Sequence, residues 1–216
     1  MYTDGAWDGE EQAQSTSGER GPPPPAGWGI AEITVDGPDA RETVNVAQVR
    51  VPIEQLTTAP EGETGRLTYV DASRVSIDEQ DGDEYIGAPG MTNNTGELSA
   101  LYWALRRAYA RRPGRGREVI HSDSLYAVNM ATGKWMPRVK RNVPLIRRVR
   151  TLWFKLQAAR PREVTLRHVR SHIKVPGNEL ADWLAGRGTR PGRTTLAQAE
   201  TRRGGWRGGC GTGRTR

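Results

Sequence analysis

Apolar and polar positions change period along this chain, and the change divides it. Met1–Trp7 (MYTDGAW) is a short strand candidate that closes at Asp4-Gly5. Asp8 to Pro25 is polar and ends in consecutive prolines, which predicts a loop. Gly27–Val35 (GWGIAEITV) alternates as a strand does. Val44–Ile53 (VNVAQVRVPI) alternates too, with Val44, Val46 and Val49 or Val51 on one face if a bulge intervenes. Thr57–Gly90 is acidic and poor in large apolar residues. Within it, Leu67–Val70 and Arg74–Ile77 predict a hairpin.

After Pro89 the period lengthens. Leu98, Leu101, Leu105 and Ala108 recur at helical spacing, and the helix should stop before Pro113. Glu118–His121 reads as a buried strand and Ser124–Ala131 as a short helix. Leu145, Val149, Leu152 and Leu156 form a second helical stripe, with Arg147, Arg148, Arg150 and Lys155 on its other faces. Val164–Val169 predicts a strand. Asn178–Ala185 predicts a helix with Leu180, Ala181 and Leu184 inward. From Gly188 onward no core-forming pattern remains, and a flexible Arg/Gly-rich tail over 188–216 is expected. The order predicts a mixed α/β domain over 1–187, with 8–25 and about 54–90 as loop or inserted segments. Ligands in such sheets bind where strands end and helices begin.

Composition narrows the class. Gly (26) and Pro (14) are frequent, and the hydrophobic fraction is 35%, so part of the 216-residue chain should lie outside any core. No stretch approaches the roughly 18 apolar residues of a membrane span. The opening residues carry neither a basic end nor an apolar run, and Cys210 has no second cysteine to pair with. The expectation is an intracellular chain, nuclear, cytoplasmic or organellar, with no membrane partner. The net charge of +7 hides an asymmetry. Residues 1–95 hold 18 acids against 5 bases, and residues 96–187 hold 6 acids against 20 bases. A basic excess on folded elements points to a polyanionic partner, nucleic acid first. The tail adds 7 arginines and Trp206, a composition that binds single strands through charge and stacking.

Four acids fall at predicted element boundaries. Asp4 ends the first strand, Glu97 opens the long helix, Asp123 follows the EVIHS strand, and Asp182 lies in the last helix. If the first strand and the EVIH strand are neighbours, Asp4 and Asp123 point at one place. Clustered carboxylates repel one another unless a divalent cation neutralises them, and hard oxygen donors suit magnesium or manganese. Each acid also has a plainer reading. Glu97 could complete a capping box with Asn94, Asp123 with Ser124 could cap a helix, Asp182 could be a solvated helix position, and Asp4-Gly5 could be a turn.

The strings around these acids resemble the ribonuclease H family, type 1. They are Y-T-D-G-A at Tyr2–Ala6, G-W-G-I-A at Gly27–Ala31, T-N-N-x-x-E at Thr92–Glu97, S-D-S-x-Y-x-V at Ser122–Val128, and V-R-S-H-x-x-x-P-G-N-E-x-A-D at Val169–Asp182. The resemblance implies a mixed five-stranded sheet flanked by helices. It implies hydrolysis of the RNA strand of an RNA–DNA hybrid by a two-metal-ion mechanism, with two Mg2+ or Mn2+ ions, leaving 3′-hydroxyl and 5′-phosphate ends. It makes Asp4, Glu97, Asp123 and Asp182 the metal-binding acids. His172 becomes a proton shuttle in a loop, a task that suits an imidazole, while His121 and His168 read as structural. Asn93 and Asn94 would read RNA 2′-hydroxyls, Gly5 would admit the RNA backbone, and Ser124 would touch substrate. Lys134, Trp135, Arg138, Lys140 and Arg141 would grip the DNA strand's phosphates, with Trp135 alternatively a packing residue. A monomer is expected.

The chain departs from the family in places. Only three residues precede Asp4, so a frayed first strand or a chain cut from something longer is expected. Asp8–Pro25 replaces a short Gly-rich loop, residues 36–90 exceed the family's length, and Leu125 stands where a polar residue is common. Other readings are a catalytically weak or inactive hybrid- or RNA-binding protein, the ribonuclease H module of a retroelement polyprotein, and a DNA-cutting nuclease of the same fold.

Overall fold

The computed structural model describes residues 1–8, 24–34, 66–114, 116–137, 140–171 and 175–195. Its sheet runs β5-β4-β1-β2-β3-β6. The strands are β1 (Tyr2–Trp7), β2 (Ala26–Thr34), β3 (Arg66–Arg74), β4 (Glu118–Ser122), β5 (Val164–His168) and β6 (Thr194–Thr195). β4 pairs parallel to β1 and β5, whereas β2, β3 and β6 continue the sheet antiparallel. The helices are α1 (Asn93–Tyr109), α2 (Leu125–Thr132), α3 (Val143–Ala159) and α4 (Pro176–Gly188). The expected mixed five-stranded sheet is present, with a two-residue sixth strand added. None of the helices among the described residues is long and apolar enough to cross a membrane.

The alternation in β2 explains the two layers. Trp28 and Ile30 point into the main core with Leu98, Leu101, Leu105, Ile120, Leu145, Val149 and Leu156 from α1, β4 and α3. Ala31 faces the other way, into a smaller core with Leu180 and Leu184 of α4. Gly27 and Gly29 share that second face, and a Cβ on either would overlap α4 backbone around Ala181, Ala185 and Gly188. Bulk on one face and its absence on the other therefore bring α4 close against β2.

Several expectations are corrected. β1 is not frayed. It is central, Met1 is buried, and its terminal amine donates to the Val119 carbonyl oxygen at 2.7 Å. Asp4 does not end the strand but pairs with Gly29 inside it. The predicted hairpin is one continuous strand, β3, followed by an irregular segment whose Val75, Ile86 and Ala88 enter the core. Residues 66–90 are thus part of the domain rather than an insertion. Residues 188–195 are likewise folded rather than tail. Thr189 is buried, and Thr194–Thr195 pair with Ala72 and Asp71. The strand expected at Val44–Ile53, most of the 8–25 segment and residues 196–216 lie outside the described residues.

Buried charge ties the elements together. Arg160, 1% exposed, donates to the Ala108 carbonyl oxygen and Glu118 at 2.9 Å and to Glu163 at 3.0 Å. Glu32 on β2 accepts from Arg111 and, at 2.8 Å, from Arg107. These bonds clamp the end of α1 to β2, β4 and the end of α3.

Candidate active site

Parallel pairing of β1 with β4 places Thr3 opposite Ser122, so Asp4 and Asp123 emerge side by side. Glu97 reaches the same point from the second turn of α1, because Gly5 presents no side chain to hold that helix off. A Cβ on Gly5 would overlap the Gly96–Glu97 backbone. The result is three carboxylates, Asp4, Glu97 and Asp123, with one oxygen of each within 4.8 Å of the others. Asp4 and Glu97 are each 5% exposed, and Asp123 is half-buried.

The plainer readings of two acids fall away. Thr92, not Asn94, caps α1, and its capping-box partner is Thr95, leaving Glu97 free for the cluster. Ser124, not Asp123, caps α2 by accepting from the Ala127 N–H at 3.2 Å. Asp182 is exposed in α4 and lies outside the three-acid set, though near enough for its charge to act on Asp4.

Electrostatics show what this crowding costs. Burial, then the charges of Asp123 and Asp182, push the Asp4 carboxyl up to about 8. The Gly5 N–H, donating to Asp4 Oδ1 at 2.7 Å, opposes that rise. Burial and the Asp4 charge push Glu97 well above the usual carboxylate range. Glu97 Oε2 is buried without a hydrogen-bond partner among the described residues. Protons on such groups do the work that a cation would do better, since an ion neutralises several carboxylates at once. An all-oxygen donor set with an orphaned buried oxygen fits a hard divalent cation, and no nitrogen or sulfur ligand stands among the three.

Two of the three histidines are described. His121 is buried and stacked on Tyr2, with ring centroids 4.8 Å apart, and burial brings it down to about 3, so it is neutral. His168 Nε2 lies 3.0 Å from the Asp123 carbonyl oxygen, which can only accept, so that nitrogen carries the proton. His172 and Arg138 lie outside the described residues, as does the Lys140 side chain.

Around the acids, Asn93 and Asn94 are exposed at the start of α1, and Ser124 is half-buried beside Asp123. Lys134 and Arg141 are exposed. Trp135 is 46% exposed, against its packing alternative, and its carbonyl oxygen accepts from Arg150 at 2.9 Å. Leu125 is 51% exposed, an apolar side chain one residue beyond Ser124. Asn178 was given no role by sequence reasoning. Its Nδ2 donates to Asp123 Oδ2 at 3.2 Å. The available signal was its position four residues before Asp182, on the same helix face.

The RNase H family model matches residues 58–190, which hold Glu97, Asp123 and Asp182 but not Asp4. A Ribonuclease H of Cupriavidus necator is 34% identical over 114 residues, covering 47% of this chain and 71% of the relative. A Ribonuclease H of Stutzerimonas stutzeri is 39% identical over 110 residues, covering 47% and 68%. Among solved structures, RNase H1 from Halobacterium salinarum aligns with a TM-score of 0.48 and 21% identity, covering 87% of this chain and 93% of that one.

Proposed function

The chain belongs to the RNase H family and is a ribonuclease acting on RNA–DNA hybrids, and we propose that it cuts the RNA strand by a two-metal-ion hydrolysis that leaves 3′-hydroxyl and 5′-phosphate ends. The observation that carries this reading is the buried Asp4–Glu97–Asp123 cluster, which holds more carboxylate than it can leave ionised unaided.

Magnesium, or manganese, supplies there the positive charge that acidifies a water and stabilises the leaving oxygen. Asp4, Glu97 and Asp123 would hold the ions, with the charge of Asp182 nearby on α4. The water oxygen bonds to phosphorus as the bond from phosphorus to the 3′ oxygen breaks, and that oxygen takes up a proton. His172, ten residues before Asp182, moves a proton near the departing product.

The substrate side rests on exposed groups. The Asn93 and Asn94 amides donate and accept at once, which suits an RNA 2′-hydroxyl. Ser124 borders the cut site, whereas Gly5, expected to admit the RNA backbone, is buried with the place of its side chain filled by α1 and serves that packing instead. Lys134, Trp135, Arg138, Lys140 and Arg141 grip DNA-strand phosphates. The chain acts as a monomer.

End analysis tests the chemistry. RNA fragments from a cut hybrid should be joined directly by a ligase that needs a 5′-phosphate and a 3′-hydroxyl. Fragments that join only after end repair would contradict the proposed bond cleavage.

A further inference from the structure

Asn178 stands in the first turn of α4, where its backbone N–H donates to the Val175 carbonyl oxygen at 2.9 Å. It is 2% exposed. One end of its side-chain amide is used, with Nδ2 donating to Asp123 Oδ2 at 3.2 Å. The other end is not, since Oδ1 is buried without a hydrogen-bond partner among the described residues. The two ends cannot be exchanged. An amide oxygen turned toward the Asp123 carboxylate oxygen would set two acceptors against each other. Buried amide oxygens usually have a donor, so this one calls for an explanation.

The start of α4 is keyed to both acid-bearing strands. A Cβ on Gly177 would overlap the Tyr2 ring, and that ring stacks on His121. Tyr2 stands two residues before Asp4, and His121 two before Asp123. The amide of Asn178 is thus registered to the acid cluster from the helix side, with no backbone freedom needed to bring it there.

We propose that Asn178 is a positioning residue of the metal site. Its Nδ2 fixes the Asp123 carboxylate, and its Oδ1 accepts a hydrogen bond from a water in the hydration shell of the bound cation. Divalent cations at carboxylate sites keep such waters, and the groups that orient ligands and waters set affinity without touching the ion. The inference rests on the reading that Asp123 binds a divalent cation.

The test is Mn2+ titration of the full chain by calorimetry, together with thermal unfolding in EDTA and in Mn2+. Wild type, Asn178→Ala and Asn178→Asp are compared. In Asn178→Ala the Mn2+ affinity should fall about tenfold or more. Asn178→Asp keeps the shape of the side chain, so it carries the test even if the alanine variant does not fold. It sets a second carboxylate against Asp123, so Mn2+ should raise its Tm by more than it raises that of wild type. A packing role alone would lower Tm in EDTA and leave both ion readouts at wild-type values. Affinity within about twofold of wild type, with an unchanged Mn2+ shift, overturns the proposal alone. Failure of wild type to bind Mn2+ overturns the metal reading and this proposal with it.

Discussion

Gly5 and Glu97 meet backbone to backbone: a Cβ added to the glycine in the middle of β1 would overlap the amide nitrogen of the acid in the second turn of α1. This contact sets how close the helix lies to the strand, and so where the Glu97 carboxylate reaches Asp4. Gly5→Ala should push α1 away, costing about 1–3 kcal/mol of stability. It should also weaken divalent-ion binding while every acid remains present. Chemical denaturation and calorimetric titration check the two effects. An alanine variant with wild-type stability and ion affinity would contradict the account of this contact.

Asp4 carries a second prediction, with a definite sign in pH. Without an ion its carboxyl is raised from 3.8 to about 8, by burial first and then by Asp123 and Asp182. The folded state therefore holds that proton more tightly than the unfolded chain. Its contribution to stability is fully present below about pH 4 and is lost as pH rises toward 8. Asp4→Asn removes this penalty. In EDTA at pH 8 the variant should melt higher than wild type by about 3 °C or more, and near pH 4 the two curves should converge. A variant less stable than wild type at pH 8 would contradict the charge balance described for the cluster.

Glu32 behaves in the opposite way. Burial alone would raise its carboxyl, but hydrogen bonds from Arg111 and Arg107 outweigh burial and hold it down at about 2. Its stabilisation is complete above the ordinary value of 4.5 and is lost as pH falls through about 2. Glu32→Gln should therefore cost about 2–3 kcal/mol at pH 7. Urea titrations at a series of pH values should show that gap closing as pH falls from 4.5 toward 2. A gap independent of pH would mean that the ion pairs contribute nothing.

The boundary near 195 gives a fourth prediction. Arg193 donates to both oxygens of buried Asp71, at 2.7 and 2.6 Å, and Thr194–Thr195 extend the sheet beside it. Removing 188–216 should destabilise the domain, because Asp71 then keeps its charge without its partner. Removing only 196–216 should leave Tm unchanged. It should also flatten the salt dependence of nucleic-acid binding, since five arginines go with the segment. An altered cleavage pattern in the shorter deletion would contradict a purely electrostatic role.

The corrections share a physical cause. Periodicity marked β2, α1, α3 and α4 because their buried residues are apolar at the period each element requires. It failed at β3 because Asp71, in the middle of that strand, is a buried acid. The arginine that satisfies Asp71 lies 122 residues away, in what read as tail. Local pattern carries no trace of a partner so distant. For the same reason the Glu32–Arg111 and Arg160–Glu118 pairs were invisible in the sequence.

The candidate site was more legible, since its acids sit in strings with their own character. The strings did not show how the acids meet. Asp4 had read as the end of a strand, yet it lies in the interior of the central strand. Asn178 stood inside one of those strings, but its bond to Asp123 depends on α4 packing across β1 and β2, which only the fold supplies.

The central claim is that this acid cluster drives cleavage of RNA paired to DNA. The most direct test is incubation of an end-labelled RNA–DNA hybrid with magnesium, beside the same RNA paired to RNA and beside an Asp123→Asn variant. The hybrid alone should be cut, and the variant, at equal Tm, should cut neither duplex. Cutting of both duplexes, or wild-type cutting by the Asp123→Asn variant, would contradict it.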